Sequence, residues 1–336
     1  MPRNSHPQLA IVAGWRTPFC RAGTELQHAS AADLATHVFR EILDRTGIAP
    51  SAIDEVILGC GGPDAREANV ARVAALRAGV PESVPALTVQ RNCASGMEAI
   101  WQAWLRLRAG AGEVFLVGGA ESMSRYPLLM SDGMKRVFER LAKARTAWQR
   151  ARAGAGFRPG HLRPRVALQE GLTDPVCGLS MGMTAERVVR RFAVPREEQD
   201  AFALRSHQRA AAATAAGRLA AEIAPYAPPR HDAMVVEDNG IRRGQSADAL
   251  AKLKPVFDRR DGDVTVGNSC QITDGAAALL LMARDRAERL GFRPLAIVRG
   301  FGHAGLAPDR MGLGPVHATP RALAQAGVDL NAIDLV

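Results

Sequence analysis

Cys93 stands between a short apolar run and an amphipathic run, within VQRNCASGMEAIWQAW at positions 89–104. The apolar run 84–89 predicts a buried strand, and the polar residues 90–92 predict a turn. A helix is predicted from four apolar residues at helical spacing, Met97, Ile100, Trp101 and Trp104. The pattern therefore places Cys93 in the first turn of a helix that follows a buried strand.

That position suits a nucleophile. The first turn of a helix has unpaired N–H groups and the positive end of the helix dipole, and both favour a thiolate. The thiolate is the nucleophilic form of cysteine. Gly96 would let another group approach the backbone closely. The alternative is a small buried thiol that only packs, and these residues alone leave both interpretations open.

The elements around Cys93 alternate between strands and helices. Strands are predicted at 9–13, 55–59, 84–89 and 113–117, and helices at 31–45, 67–78 and after Cys93. Such alternation predicts an α/β fold whose sheet has both faces covered. Active groups in open α/β sheets lie beyond the ends of the strands, where Cys93 is expected.

Composition predicts an ordinary globular protein of one large or two smaller domains, with 336 residues, 47% hydrophobic and 23% charged. The five cysteines are scattered, with no CxxC pair and no metal-ligand spacing, so we expect no metal site and a reduced, cytoplasmic setting. The first residues lack the apolar core of a signal peptide, and no run reaches transmembrane length.

The net charge of +9 is concentrated in one segment. Residues 130–165 contain ten Lys or Arg against two Asp or Glu, together with an apolar stripe of Met134, Val137, Phe138, Leu141 and Trp148. Because the rest of the chain is nearly neutral, a nucleic-acid partner is the least favoured interpretation. The segment is either a solvated covering helix, an interfacial helix on anionic lipid, or a docking surface for a protein partner.

Two short patterns recur in the same order. LAIVAG at 9–14 returns as LAIVRG at 295–300, and AIDEV at 52–56 returns as AIDLV at 332–336. Each pair brackets one predicted helix, 31–45 in the first copy and 319–327 in the second. The repeat indicates two similar halves, with the chain ending inside the second strand of the second half.

The segment around Cys93, NCASGMEAI, resembles the nucleophile motif of the thiolase family. Further blocks resemble that family in its order: GGAESMSRYP (118–127), MGMTAE (181–186), EEQDAFALRSHQRA (197–210), GNSCQITDGAAALLLM (267–282) and LGPVHATPRAL (313–323). The resemblance covers nearly the whole chain and implies a layered αβαβα fold. It implies a core domain of 1–123 and 266–290, an inserted loop domain of 124–265, and the start of a C-terminal domain at 291–336.

The resemblance implies thiolysis of a 3-ketoacyl-CoA, or the reverse condensation of two acetyl-CoA, through an acyl-enzyme on Cys93. Coenzyme A is then a substrate, and no cofactor is implied. By motif position, Met181 resembles an acyl-pocket residue and Arg242 the arginine near the adenine and phosphates; a solvated surface arginine is the alternative for Arg242. Cys270 stands where many relatives have a serine or threonine that touches pantetheine, and a thiol is a weaker hydrogen-bonding group.

The sequence departs from the family in its acid–base motifs. The Asn-Glu or His-Glu motif, the Gly-His-Pro histidine and the second cysteine before a glycine run are not found. We interpret His207 as a packed or surface residue, His317 as loop structure, and His303 as lying outside the motif. The resemblance therefore implies that most of the C-terminal domain is missing and that this chain alone is inactive. A CoA- or lipid-binding pseudoenzyme and a structural subunit are the alternatives.

Within the family, the chain most resembles the thiolase subunits of the trifunctional fatty-acid oxidation complex. KARTAWQ (143–149 within the basic segment), DNGIR (238–242) and AKLKPVF (251–257) carry that resemblance. It implies a role in fatty-acid β-oxidation, a homo-oligomer and a hydratase/dehydrogenase partner subunit. Peripheral membrane contact through 130–165 fits the same picture.

Overall fold

A computed structural model describes residues 7–336. Two compact units form, one from residues 7–125 with Thr184–Val336 and a smaller one from Tyr126–Met183. The smaller unit contains the basic segment 130–165 and lies inside the predicted loop domain. The predicted domain limits stay a prediction.

Strands and helices alternate through the first part of the chain, as the sequence predicts. In order, they are β1 (Leu9–Arg16), β2 (Cys20–Arg21), α1 (Ala31–Thr46), β3 (Glu55–Gly59), α2 (Val70–Arg77), β4 (Ala86–Val89), α3 (Ser95–Arg108), β5 (Val114–Ser122), β6 (Leu128–Leu129), α4 (Asp132–Lys143), α5 (Ala147–Ala155), β7 (Arg165–Val166), α6 (Ala167–Gly171), α7 (Met181–Phe192), α8 (Arg196–Ala215), α9 (Ala247–Ala251), β8 (Thr273–Ala283), α10 (Arg284–Arg289), β9 (Ala296–Val298) and α11 (Gly314–Ala326).

One mixed sheet organises the larger unit, in the order β4-β3-β5-β8-β1-β9, with β2 also paired to β8. Strand β3 is parallel to β4 and β5, whereas β8 is antiparallel to β5 and β1. The two copies of the repeated pattern lie side by side, because β9 pairs antiparallel with β1 and Ala10 faces Ile297.

Both faces of the sheet are covered. Along β5, Val114 and Leu116 pack in the cluster that contains α1 and α2, while Phe115 and Val117 pack in the cluster that contains Trp104 of α3. This alternation follows from the two-residue period of a strand. The predicted α/β class with covered faces is confirmed.

Two local predictions are wrong. The strand predicted as buried at 84–89 is shorter and only half-buried, because β4 is the edge strand of the sheet. Residues 333–336 form no strand and are exposed after a short 3₁₀ helix at Leu330–Ala332. Extended residues become a strand only when a neighbouring strand accepts their hydrogen bonds, and no described residue pairs with 333–336.

The basic segment forms two helices. Ser131 caps α4 by accepting the Met134 N–H at 3.2 Å, and Thr146 begins α5 with a capping box. The predicted apolar stripe is therefore divided: Val137 is buried, but Phe138 and Trp148 are 50% and 76% exposed. No helix within residues 7–336 is both long and apolar enough to span a bilayer.

Candidate active site

The sheet brings several strand ends to one edge. The carboxyl ends of β3, β4 and β5 lie beside the start of β8, since the first three strands are parallel and β8 is antiparallel to β5. We call this the carboxyl edge. Cys93 follows β4 and Cys270 precedes β8, so both thiols belong to it. Strands β4 and β8 are three strand spacings apart, about 14 Å.

Cys93 lies in the loop before α3, not in the first turn as predicted. The helix begins at Ser95 with Ala94 as its N-cap, so Cys93 is outside the helical residues and exposed. The predicted start is wrong because Asn92 takes a left-handed conformation, φ 46°, which reverses the chain before the helix can begin. The loop thus presents the thiol to solvent instead of packing it.

Ser95 closes this loop on itself. Its hydroxyl accepts the Arg91 N–H at 2.8 Å and donates to the Asn92 carbonyl at 2.6 Å. The Ala94 N–H also donates to the Arg91 carbonyl at 3.0 Å. These bonds satisfy the backbone on both sides of Cys93 and hold it in one conformation.

The start of α3 packs closely on two strands through glycines. A side chain at Gly59 of β3 would overlap with the Ser95 carbonyl carbon, and one at Gly119 of β5 would lie 3.2 Å from the Gly96 Cα. Only glycine permits this approach. Gly59 and Gly119 therefore allow the start of the helix that follows Cys93 to pack on the sheet.

Glu98 links the Cys93 loop to a distant part of the chain. This buried carboxylate accepts the Arg91 Nε at 2.6 Å and the Gln102 Nε2 at 2.8 Å, and the His303 Nε2 lies 3.4 Å away. Burial alone would raise the pKa of Glu98, but the hydrogen bonds from Arg91 and Gln102 outweigh burial and lower that pKa. Glu98 therefore stays ionised at neutral pH and anchors Arg91.

Sequence reasoning missed Glu98 and gave His303 no contact in the fold. An acidic residue in the first turn of α3 was the available signal. Nothing in the sequence connects it with His303, whose ring also stands edge-on to Trp101 at 5.5 Å. His317, predicted in a loop, is exposed within α11.

A third cysteine at the carboxyl edge, Cys60, is buried, whereas Cys93 and Cys270 are exposed. Cys60 follows β3, is buried, and lies 3.9 Å from Glu121. Burial first, and then the Glu121 charge, raise the pKa of the Cys60 thiol to about 12. Glu121 itself accepts the N–H groups of Gly61 and Gly62 at 2.8 and 3.2 Å, so it shapes the turn after β3.

The loop before Arg242, residues 238–242, is fixed to the end of β1. Asp238 accepts hydrogen bonds from the two terminal guanidinium nitrogens of Arg16, at 2.7 and 2.9 Å, and from the Phe19 N–H at 2.7 Å. Asn239 accepts the Arg21 N–H at 2.7 Å. We call residues 238–242 the Arg242 loop.

The same loop meets the residues around Cys270. Gln271, next to Cys270, donates its Nε2 to the Gly240 carbonyl at 2.8 Å. The Arg242 N–H donates to the His207 Nδ1 at 3.2 Å, and the Arg242 side chain is exposed. The structure thus places the Arg242 loop against Gln271, the residue next to Cys270, and against His207.

Met181 belongs to the smaller unit. Its N–H donates to the Leu172 carbonyl at 3.0 Å, and its side chain is partly buried there. Its predicted role in an acyl pocket stays a prediction. Within residues 7–336, no three His, Cys, Asp or Glu side chains cluster in a way that could hold a metal ion.

Comparisons with known proteins agree on one family. The family model "Thiolase, N-terminal domain" matches residues 9–285. An acetyl-CoA acetyltransferase of Chromobacterium violaceum is 39% identical over 333 residues, covering 98% of this chain and 80% of the relative.

Solved structures give the same result. The Bacillus anthracis acetyl-CoA acetyltransferase superposes with a TM-score of 0.88 at 37% identity, covering 99% of this chain and 79% of that one. Human mitochondrial 3-ketoacyl-CoA thiolase in complex with CoA gives 0.85 at 33% identity, covering 98% and 78%. These structures confirm the predicted thiolase-like fold. The chain belongs to the thiolase family.

Proposed function

We propose that the chain transfers acyl groups between coenzyme A and the Cys93 thiol, as in thiolysis of a 3-ketoacyl-CoA or condensation of two acetyl-CoA. The observation that carries this proposal is an exposed thiol on an ordered loop at the carboxyl edge. Cys20 and Cys60 are buried, with thiol pKa values raised to about 12. The names of the relatives support the same chemistry.

Thiolysis then takes two steps. The Cys93 sulfur bonds to the C3 carbonyl carbon, the C2–C3 bond breaks, and its electron pair stays on C2, which takes a proton to give acetyl-CoA. The thiolate of a second coenzyme A next attacks the thioester, accepts the acyl group and releases Cys93. The oxidation of C3 and the reduction of C2 cancel within the substrate, so the reaction needs no external oxidant or reductant. Coenzyme A is a substrate, and the proposal includes no cofactor or metal.

Turnover also needs groups that move protons. Cys93 is exposed, and the acid–base motifs of the family are not found in this sequence. General acid–base assistance contributes roughly two to four orders of magnitude in rate. We therefore expect this 336-residue chain to form the acyl-enzyme while turning over slowly.

The test is intact-mass and peptide mass spectrometry after incubation with acetyl-CoA. We expect one acetyl group on Cys93 in the wild type and in the matched control Cys177→Ala, which removes a partly exposed cysteine outside the proposed site. We expect none in Cys93→Ala. Acetylation that persists in Cys93→Ala, or a wild-type chain that binds coenzyme A without ever being acylated, would contradict the proposal. The second outcome would indicate a binding protein or a structural subunit.

For coenzyme A itself, we propose that the Arg242 guanidinium contacts the phosphates, Cys270 lies along the pantetheine arm, and Met181 lines the acyl pocket. Arginine suits the first role because its fork of donors matches phosphate oxygens. The link between Gln271 and Gly240 supports placing Cys270 and Arg242 on one ligand.

We also propose that the basic segment 130–165 binds anionic membrane surfaces. All ten of its Lys and Arg residues are exposed, and only Lys135 and Arg165 form ion pairs within residues 7–336. Phe138 and Trp148 are exposed apolar groups in the same segment. Basic residues beside exposed aromatic side chains are typical of helices that lie in a membrane interface.

Co-sedimentation with vesicles tests this proposal. We expect binding to vesicles with anionic phospholipid that falls as salt rises, because salt screens surface charges. Phe138→Ser with Trp148→Ser should weaken binding, whereas Val176→Ser, an exposed apolar residue outside the segment, should not. Equal binding to neutral and anionic vesicles would contradict the proposal.

The finer assignments are proposals too. We propose a homo-oligomer formed in part through the half-exposed edge strand β4, whose outer side has no neighbouring strand among residues 7–336. A cytoplasmic role in fatty-acid β-oxidation beside a hydratase/dehydrogenase subunit follows only from the subgroup resemblance. Light scattering and co-purification with such a subunit test the two assemblies.

A further inference from the structure

The Arg242 loop is held at two further points by side chains from other elements. Gln271, at the entrance to β8, donates to the Gly240 carbonyl, and His207, on α8, accepts the Arg242 N–H. The Gln271 contact fixes the chain before Arg242. The His207 contact fixes the peptide of Arg242 itself and therefore the direction in which its side chain leaves the backbone.

The His207 contact requires a particular form of the ring. A backbone N–H can donate to Nδ1 only when Nδ1 has a free lone pair, so the ring is neutral with its proton on Nε2. Protonation would place an N–H on Nδ1, opposite the Arg242 N–H, and the bond would be lost. Burial first, and then the Arg242 charge, lower the pKa of His207 and favour the neutral ring.

Within the described part of the chain, residues 7–336, no acidic group pairs with this ring to compensate for its protonation. Positions three and four residues away on α8 share its face, and all four are apolar: Ala203, Leu204, Ala210 and Ala211. The Arg242 loop contains two charged residues: Arg242 acts on the ring, whereas Asp238 pairs with Arg16 at 2.7 Å. No carboxylate within residues 7–336 forms an ion pair or hydrogen bond with His207.

We propose that His207 is a positioning residue for coenzyme A: as a neutral ring it orients Arg242 toward the phosphates, and its protonation weakens binding of the nucleotide end. This inference rests on the proposed role of Arg242. Loss of one neutral hydrogen bond should weaken affinity about fivefold. The effect should be confined to ligands that carry the nucleotide.

Two substitutions separate the effect of the hydrogen-bond acceptor at position 207 from the effect of protonating the ring. The Asn Oδ1 in His207→Asn can accept the same N–H but does not titrate, whereas His207→Leu cannot accept it. The matched control is His231→Leu, since the His231 Nδ1 lies near the backbone of Ala233 and does not contact the Arg242 loop. Calorimetry would measure CoA affinity at about pH 8 and about pH 5, the lower value being chosen because the pKa of His207 lies below the usual histidine range.

We expect His207→Leu to bind CoA about fivefold more weakly at the higher pH, with His207→Asn and His231→Leu close to wild type. On acidification, the CoA affinity of the wild type should fall more than that of His207→Asn. Titration of CoA itself affects both proteins equally, so the difference reports protonation of His207. Cys93 acetylation by S-acetylpantetheine, which lacks the nucleotide, should be equal in all four proteins.

Three results would overturn the proposal: wild-type affinity in His207→Leu, equal acid weakening in wild type and His207→Asn, or a matching loss with S-acetylpantetheine. If His207→Leu does not fold, the comparison of wild type with His207→Asn at the two pH values still tests the proposal. If Arg242→Ala binds CoA as tightly as the wild type, both the assignment of Arg242 and this proposal are wrong. If Arg242→Ala binds CoA more weakly but His207→Leu does not, only the positioning role of His207 is wrong.

Discussion

Two loops at the carboxyl edge are held in opposite ways. The loop around Cys93 is held by partners close in sequence, since Arg91 contacts Ser95 and Glu98, four and seven positions away. The Arg242 loop is held by Gln271, His207 and Arg16, at separations from 31 to 222 positions. The nucleophile is therefore organised mainly by its own segment, and the proposed CoA contact by the packed unit.

This difference has a consequence for stability and function. Contacts between distant positions close long loops of the chain, and the entropic cost of closure grows with loop length. Weakening the sheet or its close packing should disturb both loops, whereas a change in one partner of the Arg242 loop should leave Cys93 chemistry intact. The predictions below test this separation.

The largest expected effect is the difference in alkylation rate between Cys93 and Cys60, two cysteines that follow neighbouring strands. With a thiol pKa of about 12, roughly one Cys60 in ten thousand is a thiolate near pH 8. Iodoacetamide should therefore modify exposed Cys93 at least about a hundredfold faster than buried Cys60 or Cys20. Peptide mapping over time measures the rates, and equal labelling of all five cysteines in the folded protein would contradict the assignment of Cys93.

Gly59→Ala should disrupt the packing beneath Cys93. The new Cβ would overlap with the Ser95 backbone, so the start of α3 must move, at a cost of about 3 kcal/mol in the free energy of unfolding. Urea unfolding measures the loss, and acetylation of Cys93 should fall with it. The control is Gly154→Ala in α5, where the added methyl group meets open space and stability should be unchanged or slightly higher.

Glu98→Gln tests the anchor of Arg91. Removing the charge should destabilise the fold by about 2 kcal/mol near pH 7. The folded pKa of Glu98 is lowered, so its contribution is present above the ordinary glutamate pKa and is lost as pH falls through the folded value. The difference between variant and wild type should therefore shrink below about pH 4. A difference that does not change with pH would show that the charge of Glu98 is unimportant.

The smallest expected effect comes from Asp238→Asn in the Arg242 loop. Loss of the charged contact with Arg16 should loosen the loop and weaken CoA binding by a few fold, with about 1 kcal/mol lost from the free energy of unfolding. Acetylation of Cys93 by S-acetylpantetheine should be unchanged. Should that acetylation fall as much as CoA binding, the two loops would be coupled and the comparison above would fail.

Much of the fold was predictable because its signals are local. The signals for the helix at Ala31–Thr46 are its apolar face, its N-cap Ser30 and its C-cap Gly47, and all of them lie in one continuous segment. Strand Glu55–Gly59 matches its prediction without error, since a short apolar run between turn residues has few alternatives. The loop that carries Cys93 was located for the same reason, although the start of its helix was placed two residues early.

The sequence by itself therefore determined the order of strands and helices, the α/β class and the segment that presents Cys93, because these depend on periodicity and neighbouring residues. Only the tertiary structure decided that β4 lies at the sheet edge, that Glu98 faces His303, and that His207 accepts the Arg242 N–H. Strand order and side-chain partners depend on which distant segments pack together. A one-dimensional pattern does not specify that choice, because many pairings satisfy the same periodicity.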